Sequence, residues 1–475
     1  MASPDLTEAR AVRLRMSPLV SVTLGAAFLA RVLTEGLGVL PREIFNLADL
    51  GFILVLVVLL VLFVLGFSTR IQMGILRGLF LPILIVTSLS TLLNADQIAV
   101  KPAVTFWLLM LQGPLLYLYL INTESSTNRD RYLIGLLLGL SLLQPIWVVA
   151  RGQVGMSADS VSGTFGVNPS QLCFVCVLVI CFALSKTGYL TRRQTAWSLA
   201  VFVPLFFMPN WRAMWVGLPG AVLLTRWIVD RRQGVMRWVV RLGSMLVVVV
   251  SMLAIVVGIA LWVPASADLQ KDQLAGFRNL WYELNATQGR LLYDTGKVLS
   301  YAAIPEVFSE SLHYQFVGTG PGTYNSRAFH TFAQLTIKGG APEASVVHNY
   351  VKDDRPYVTG VSERHILPIL NRFRVSGTIG STLGTYPSWI VEIGVIGFGL
   401  WVVVYGRALK LCGEIYRADV DPIYRSAAFG AAGFLAFTIL ASLLDDWFAV
   451  GRMMIIPWSI LAVLDGVRPQ VSYAA

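Results

Sequence analysis

Charge is what this sequence has least of. Only 13% of its 475 residues are Asp, Glu, Lys or Arg, about half the share of an ordinary soluble globule. With 56% hydrophobic residues, 13 Trp and 24 Phe and a mean hydropathy of +0.67, a water-soluble fold is excluded and a polytopic membrane protein is expected. Cysteine is scarce too. Cys173, Cys176, Cys181 and Cys412 fall in or beside apolar stretches, where a thiol packs as a small apolar group, so no disulfide framework is implied. Cys173 and Cys176 form a CxxC, but inside an apolar helix and without a second pair, which favours packing over metal or redox chemistry. The chain shows no Gly-rich nucleotide loop and no metal-ligand spacing, so neither a cofactor nor a metal is expected.

What is present is a series of apolar windows, each long enough to cross about 30 Å of hydrocarbon with about 20 residues. They lie near 17–40, 46–67, 78–95, 103–121, 132–150, 165–185, 194–209, 212–228, 239–262, 387–406, 425–444 and 448–465. The expected fold class is therefore an all-α polytopic membrane protein of about twelve transmembrane helices. The N-terminus, MASPDLTEARAVRLR, mixes acidic with basic residues and is not followed by a clear cleavage site. It reads as a cytoplasmic tail. With that orientation the inner segments carry 20 Lys and Arg and the short outer loops only five, Arg42, Lys101, Arg151, Arg212 and Arg452. This asymmetry places both termini inside. The net charge of +10 is then mainly a topology signal, and no nucleic-acid partner is expected.

One segment interrupts the short loops. Residues 263–386 are polar and rich in Gly and Pro, with eleven basic and ten acidic residues, and they hold all four histidines, His313, His330, His348 and His365. The expected organisation is a nine-span region (1–262), a folded extracytoplasmic loop domain (263–386) and a three-span region (387–475). Arg31 and Glu35 stand one turn apart in the first span and read as a compensated pair.

Arg212 lies between two apolar runs, in 208-MPNWRAMWVG-217, at the outer boundary in this topology. Two readings of it are open. A snorkelling arginine would only anchor the span end, whereas a fixed guanidinium fork would grip the phosphates of an anionic head group. The loop 318-GTGPGTY-324, with Gly318, Gly320 and Gly322 at alternate positions, is either a tight turn or a nest whose N–H groups hold an anion. For Glu392, at the start of a span, a capping or structural role beside Arg212 competes with chemistry.

Four stretches, in order, resemble the O-antigen ligase and polysaccharide polymerase superfamily: 161-VSGTFGVNPSQLCFVCVLVI-180, 210-NWRAMWVG-217, 288-QGRLLYDTGKVL-299 with 317-VGTGPGTYN-325, and 388-SWIVEIGVIGFGLWVVV-404. The resemblance implies an inverting, metal-independent glycosyltransferase on the outer face of the bacterial cytoplasmic membrane. Its donor would be a glycan on undecaprenyl diphosphate, and its acceptor a sugar hydroxyl on a lipid-linked repeat or on lipid A core. Membrane lipids and a chain-length regulator are further expected partners. By the same resemblance Arg212 and Arg290 would bind the donor diphosphate, with the glycine loop Gly318, Gly320 and Gly322 also on the substrate. The His-Asn pair that the family's ligases carry just before the last motif is missing from 382-TLGTYPS-388. His348-Asn349 is the nearest such pair, which makes His348 the expected catalytic base and a polymerase a better match than a ligase. A transporter, which usually shows internal repeats, and a non-catalytic assembly partner are the alternatives from other classes.

Overall fold

The computed structural model describes residues 72–122, 212–229, 296–326, 360–369, 385–443 and 451–472, with isolated positions between 130 and 197 and at 328, 329 and 448. The described chain is helical apart from a two-residue antiparallel pair, Ser162–Gly163 with Gly166–Val167. In chain order the helices are α1 (Phe80–Leu93), α2 (Val100–Ile121), α3 (Arg212–Val229), α4 (Gly296–Ala302), α5 (Ile304–Glu310), α6 (Leu312–Val317), α7 (Gly360–His365), α8 (Thr385–Arg417), α9 (Pro422–Ala441) and α10 (Gly451–Ser472).

Three of these, α2, α8 and α9, are long and apolar enough to cross a membrane. They coincide with the windows at 103–121, 387–406 and 425–444. Helices α3 and α10 overlay two more windows, 212–228 and 448–465, and α1 fills most of 78–95 with fourteen residues. The remaining windows, the Arg31/Glu35 pair and most of the boundary at 263 lie outside the described residues. On α1, Leu81, Ile85, Leu89 and Leu92 recur every three or four residues and are all exposed. Such an apolar stripe on an outer helix face suits hydrocarbon rather than water.

The bundle packs through small residues. Helix α9 contributes Ala427, Ala428, Gly430, Ala431, Ala432, Gly433 and Ala436, which allow backbones to approach closely where apolar burial gives no net drive between helices. It packs along α3 and α8, while α10 packs along α2. Gly113 of α2 has no room for a side chain, since a Cβ there would come within 2.2 Å of the Trp458 ring. Around that contact lies the largest core, with Tyr117, Trp401, Phe434, Phe437 and Trp458 fully buried.

A second, smaller core joins the loop segment to the bundle. Val307, Tyr314, Tyr324, Phe329, Val361, Ile366 and Leu367 surround Val391 of α8. The residues of α5–α7 thus fold onto the first turns of α8. Glu310 ties α5 to α7 by accepting from Arg364 Nε at 2.9 Å and from His365 Nε2 at 2.7 Å.

Candidate functional site

The densest polar construction among the described residues is where the glycine loop meets α8. Helix α8 breaks at Gly394, which has φ 69° and ψ 173°. Only glycine adopts that backbone cheaply, and a Cβ at Gly394 would also stand 2.3 Å from the Phe316 carbonyl oxygen. The break withholds the amides that would otherwise bond the carbonyls of Val391 and Glu392, and buried carbonyls need partners. The glycine loop supplies them. Thr319 N donates to Val391 O at 2.8 Å and Gly320 N to Glu392 O at 3.1 Å, with Ser90 Oγ of α1 donating to Glu392 O at 3.0 Å.

Gly318, Gly320 and Gly322 have φ of 88°, 104° and 74°. Each is also pressed against a neighbour: a Cβ would fall 2.5 Å from the Glu392 backbone at Gly318, 2.6 Å from Ile98 at Gly320 and 2.7 Å from Pro102 at Gly322. The loop is a nest, and the anion in it belongs to the chain. The Glu392 carboxylate, fully buried, accepts from Gly322 N at 2.6 Å on Oε2 and from Tyr324, Asn325 and Ser326 N at 3.1, 3.1 and 3.0 Å on Oε1. No cation pairs with it among the described residues. Four oriented amides replace the water that a buried carboxylate would otherwise lose. The Gly318 amide goes to the carbonyls of His313 and Tyr314, so the amides of all three loop glycines are directed at protein acceptors.

Two further groups brace the loop. Tyr324 is buried and its hydroxyl donates to Ser300 O at 2.6 Å. Burial, with the Glu306 and Glu392 carboxylates nearby, holds its phenol well above the ordinary tyrosine pKa. Asn94, just beyond α1, donates through Nδ2 to Gly318 O at 3.0 Å and to Ser90 O at 2.8 Å.

The Asn94 contacts orient a histidine. Because both neighbours of Nδ2 are carbonyl oxygens, the amide oxygen must face the other way, towards His313 Nε2 at 3.2 Å. An oxygen there accepts, so in the neutral imidazole Nε2 carries the proton and Nδ1 is left as the acceptor. Ser311 Oγ lies 2.6 Å from that Nδ1, and in that tautomer it donates to it. His313 is half-buried and stands five residues before Gly318.

The other sequence candidates divide cleanly. Arg212 is the first residue of α3, but its side chain lies outside the described residues, as do Arg290, His348 and His330. His365 is engaged with Glu310 and, at 3.8 Å, with Glu306. Of the cysteines, Cys412 is a buried thiol in α8, and the others fall outside the described residues. Sequence reasoning weighed Glu392 and the glycine loop separately and did not pair them. It also passed over Asn94 and Ser90, whose one signal was polarity at the end of an apolar window. No family model and no curated protein matches the chain.

Proposed function

We propose that the chain is an integral-membrane glycosyltransferase that polymerises undecaprenyl-diphosphate-linked glycan on the outer face of the bacterial cytoplasmic membrane. The observation that supports this reading best is the union of two of the resemblance stretches, 317–325 and 388–397. They are about seventy residues apart in sequence, yet they are joined through Glu392 at the head of an apolar, membrane-length helix. A glycosyltransferase of this kind needs a rigid shelf at the membrane boundary, and a loop locked by four amides on one carboxylate is rigid.

In this reading the acceptor hydroxyl oxygen attacks the anomeric carbon from the face opposite the diphosphate. The carbon–oxygen bond to the diphosphate breaks, and the lipid diphosphate leaves with the electron pair. Charge gathers on the leaving group, so fixed cations aimed at it stabilise the transition state. Arg212 and Arg290 are assigned that role, and His348 is assigned the acceptor proton. The geometry at His313 favours a second assignment of the base: its tautomer is set by Asn94, and its Nδ1 already holds a hydroxyl, that of Ser311, at 2.6 Å. An acceptor sugar hydroxyl in place of Ser311 Oγ would meet the same lone pair. Gly318, Gly320 and Gly322 then serve the substrate by shape, since their amides are spent on the protein. The polymerase is preferred to a ligase because 382–388 lacks histidine, and to a transporter because the two halves show no self-similarity.

The experiment is glycan synthesis in a strain lacking the native gene, complemented by single variants. Arg212→Ala and Arg290→Ala should each lower transfer at least about tenfold, the equivalent of losing one charge-assisted contact of about 1.5–3 kcal/mol. Arg212→Lys should be impaired as well. His348→Ala and His313→Ala, made separately, decide which imidazole takes the proton. Full activity in both arginine variants would remove the diphosphate-binding assignment.

A further inference from the structure

At the other end of the bundle from Glu392, a cavity of about 440 Å³ opens between the turn before α1, the last third of α8 and the end of α10. Its charged lining is Arg77, Arg407, Lys410, Glu414 and Arg468, completed by Gly74, Ile75 and Leu411. Two helices measure its distance from the glycine loop. Helix α1, fourteen residues long, lies between Arg77 and Asn94, and thirteen residues of α8 separate Gly394 from Arg407. At 1.5 Å per residue each path is about 20 Å, so the cavity lies near the opposite membrane boundary.

Four cations line this cavity against one carboxylate, Glu414 (4 − 1, net +3). Glu414 is shared, at 3.0 Å from Arg468 and 3.8 Å from Lys410. Asp465, just behind, is 4.0 Å from Arg468 Nη1 and already accepts from Ile75 N at 3.1 Å and from the Tyr117 hydroxyl. Arg407 is held in place by donating to Arg77 O at 2.6 Å. Arg77 makes no ion pair among the described residues, and its side chain is exposed. An excess of positive charge around a concave, half-open space is a receptor for a compact anion with several oxygens.

The neighbouring surface indicates what that anion is attached to. Ile396, Val403, Arg407, Lys410 and Glu414 succeed one another at helical spacing on one face of α8. Ile396 and Val403 are 45% exposed, so this face is apolar towards the bundle centre and basic at the cavity. A lipid has the same profile, with tails beside a phosphate. We infer that this cavity binds the phosphate of an anionic membrane lipid, held by Arg77, Arg407, Lys410 and Arg468. In the proposed topology this is an inner-leaflet lipid, and basic pockets between membrane helices on that side are suited to such head groups. The site is separate from the proposed transfer site and would stand if that activity were something else.

Full-length protein in neutral detergent, titrated with short-chain phosphatidylglycerol, short-chain phosphatidylcholine or inorganic phosphate, tests this by native mass spectrometry. Phosphatidylglycerol should bind at least about tenfold more tightly than phosphatidylcholine. Each cation contributes about fivefold, so R77Q/K410Q should weaken that binding about 25-fold, while R193Q, exposed and outside the cavity, should leave it within about twofold. Glu414→Gln removes the one opposing lining charge and should tighten binding, a gain that misfolding cannot imitate. Inorganic phosphate that binds as tightly as phosphatidylglycerol and displaces it would keep the phosphate site and make a soluble anion its ligand. Equal binding of the two lipids, or indifference to both R77Q/K410Q and Glu414→Gln, overturns the proposal.

Discussion

Replacing Glu392 by alanine should detach the glycine loop from α8. The carboxylate is fully buried and takes four amides, those of Gly322, Tyr324, Asn325 and Ser326, within 2.6–3.1 Å. Each buried N–H left without an acceptor costs about 1–3 kcal/mol. Some of the four would recover a partner through relaxation or an entering water, so the expected loss is about 4 kcal/mol or more, a large part of a domain's net stability. Glu392→Gln separates the two halves of the clamp. Its carbonyl oxygen can still serve Tyr324, Asn325 and Ser326, but its NH₂ would face the Gly322 N–H, donor against donor, at a cost of about 1–3 kcal/mol. Asp is one methylene short and should fall between Gln and Ala. Thermal unfolding of the purified proteins in detergent, with limited proteolysis read for cuts between 296 and 326, measures both effects. An alanine variant that melts within about 1 °C of the parent and resists protease equally, against the several degrees expected for such a loss, would refute the lock.

Two further outcomes follow from neighbouring contacts. Gly394→Ala forces a side chain into positive φ and to within 2.3 Å of Phe316 O, and should cost about 1–3 kcal/mol; Gly399→Ala, further along α8 with nothing within 4 Å, should be close to neutral in the same melting assay. Glu310 is held below its ordinary pKa of 4.5 by hydrogen bonds from Arg364 and then His365, partly opposed by burial. A depressed folded pKa means that the clamp stabilises above the unfolded value and is lost as pH falls through the lower folded one. The difference in melting temperature between the parent and Glu310→Gln should therefore be present near neutrality and vanish well below about pH 4.5; a difference that persists unchanged there would show that the clamp does not act through charge.

Among the described residues, the helical frame was legible because hydrocarbon imposes one simple requirement, a long apolar run. Helices α2, α3 and α9 lie within a few residues of windows read from composition alone. Helix α8 extends to Arg417 where the window stopped at 406, because a helix continues past the apolar layer whenever its polar end is solvated or paired, as Lys410 and Glu414 are. The three alternate glycines marked a place of close backbone approach. Their partner was harder to see, since Glu392 is 70 residues from Gly322 and nothing local in the sequence links a nest to its anion. An acidic residue heading an apolar run must be neutralised or fully hydrogen-bonded, and among the described residues the glycine loop meets that need for Glu392. The His313–Asn94 contact spans 219 residues and depends on α1 ending beside α6, which only tertiary packing decides.

The most direct measurement is reconstitution of the purified full-length protein in liposomes with an undecaprenyl-diphosphate-linked oligosaccharide. The proposed activity predicts longer lipid-linked glycan, one undecaprenyl diphosphate released per bond formed, and loss of both products in Arg212→Ala and Arg290→Ala. Glycan that stays at its original length, whether left in place or moved unaltered across the bilayer, would contradict it.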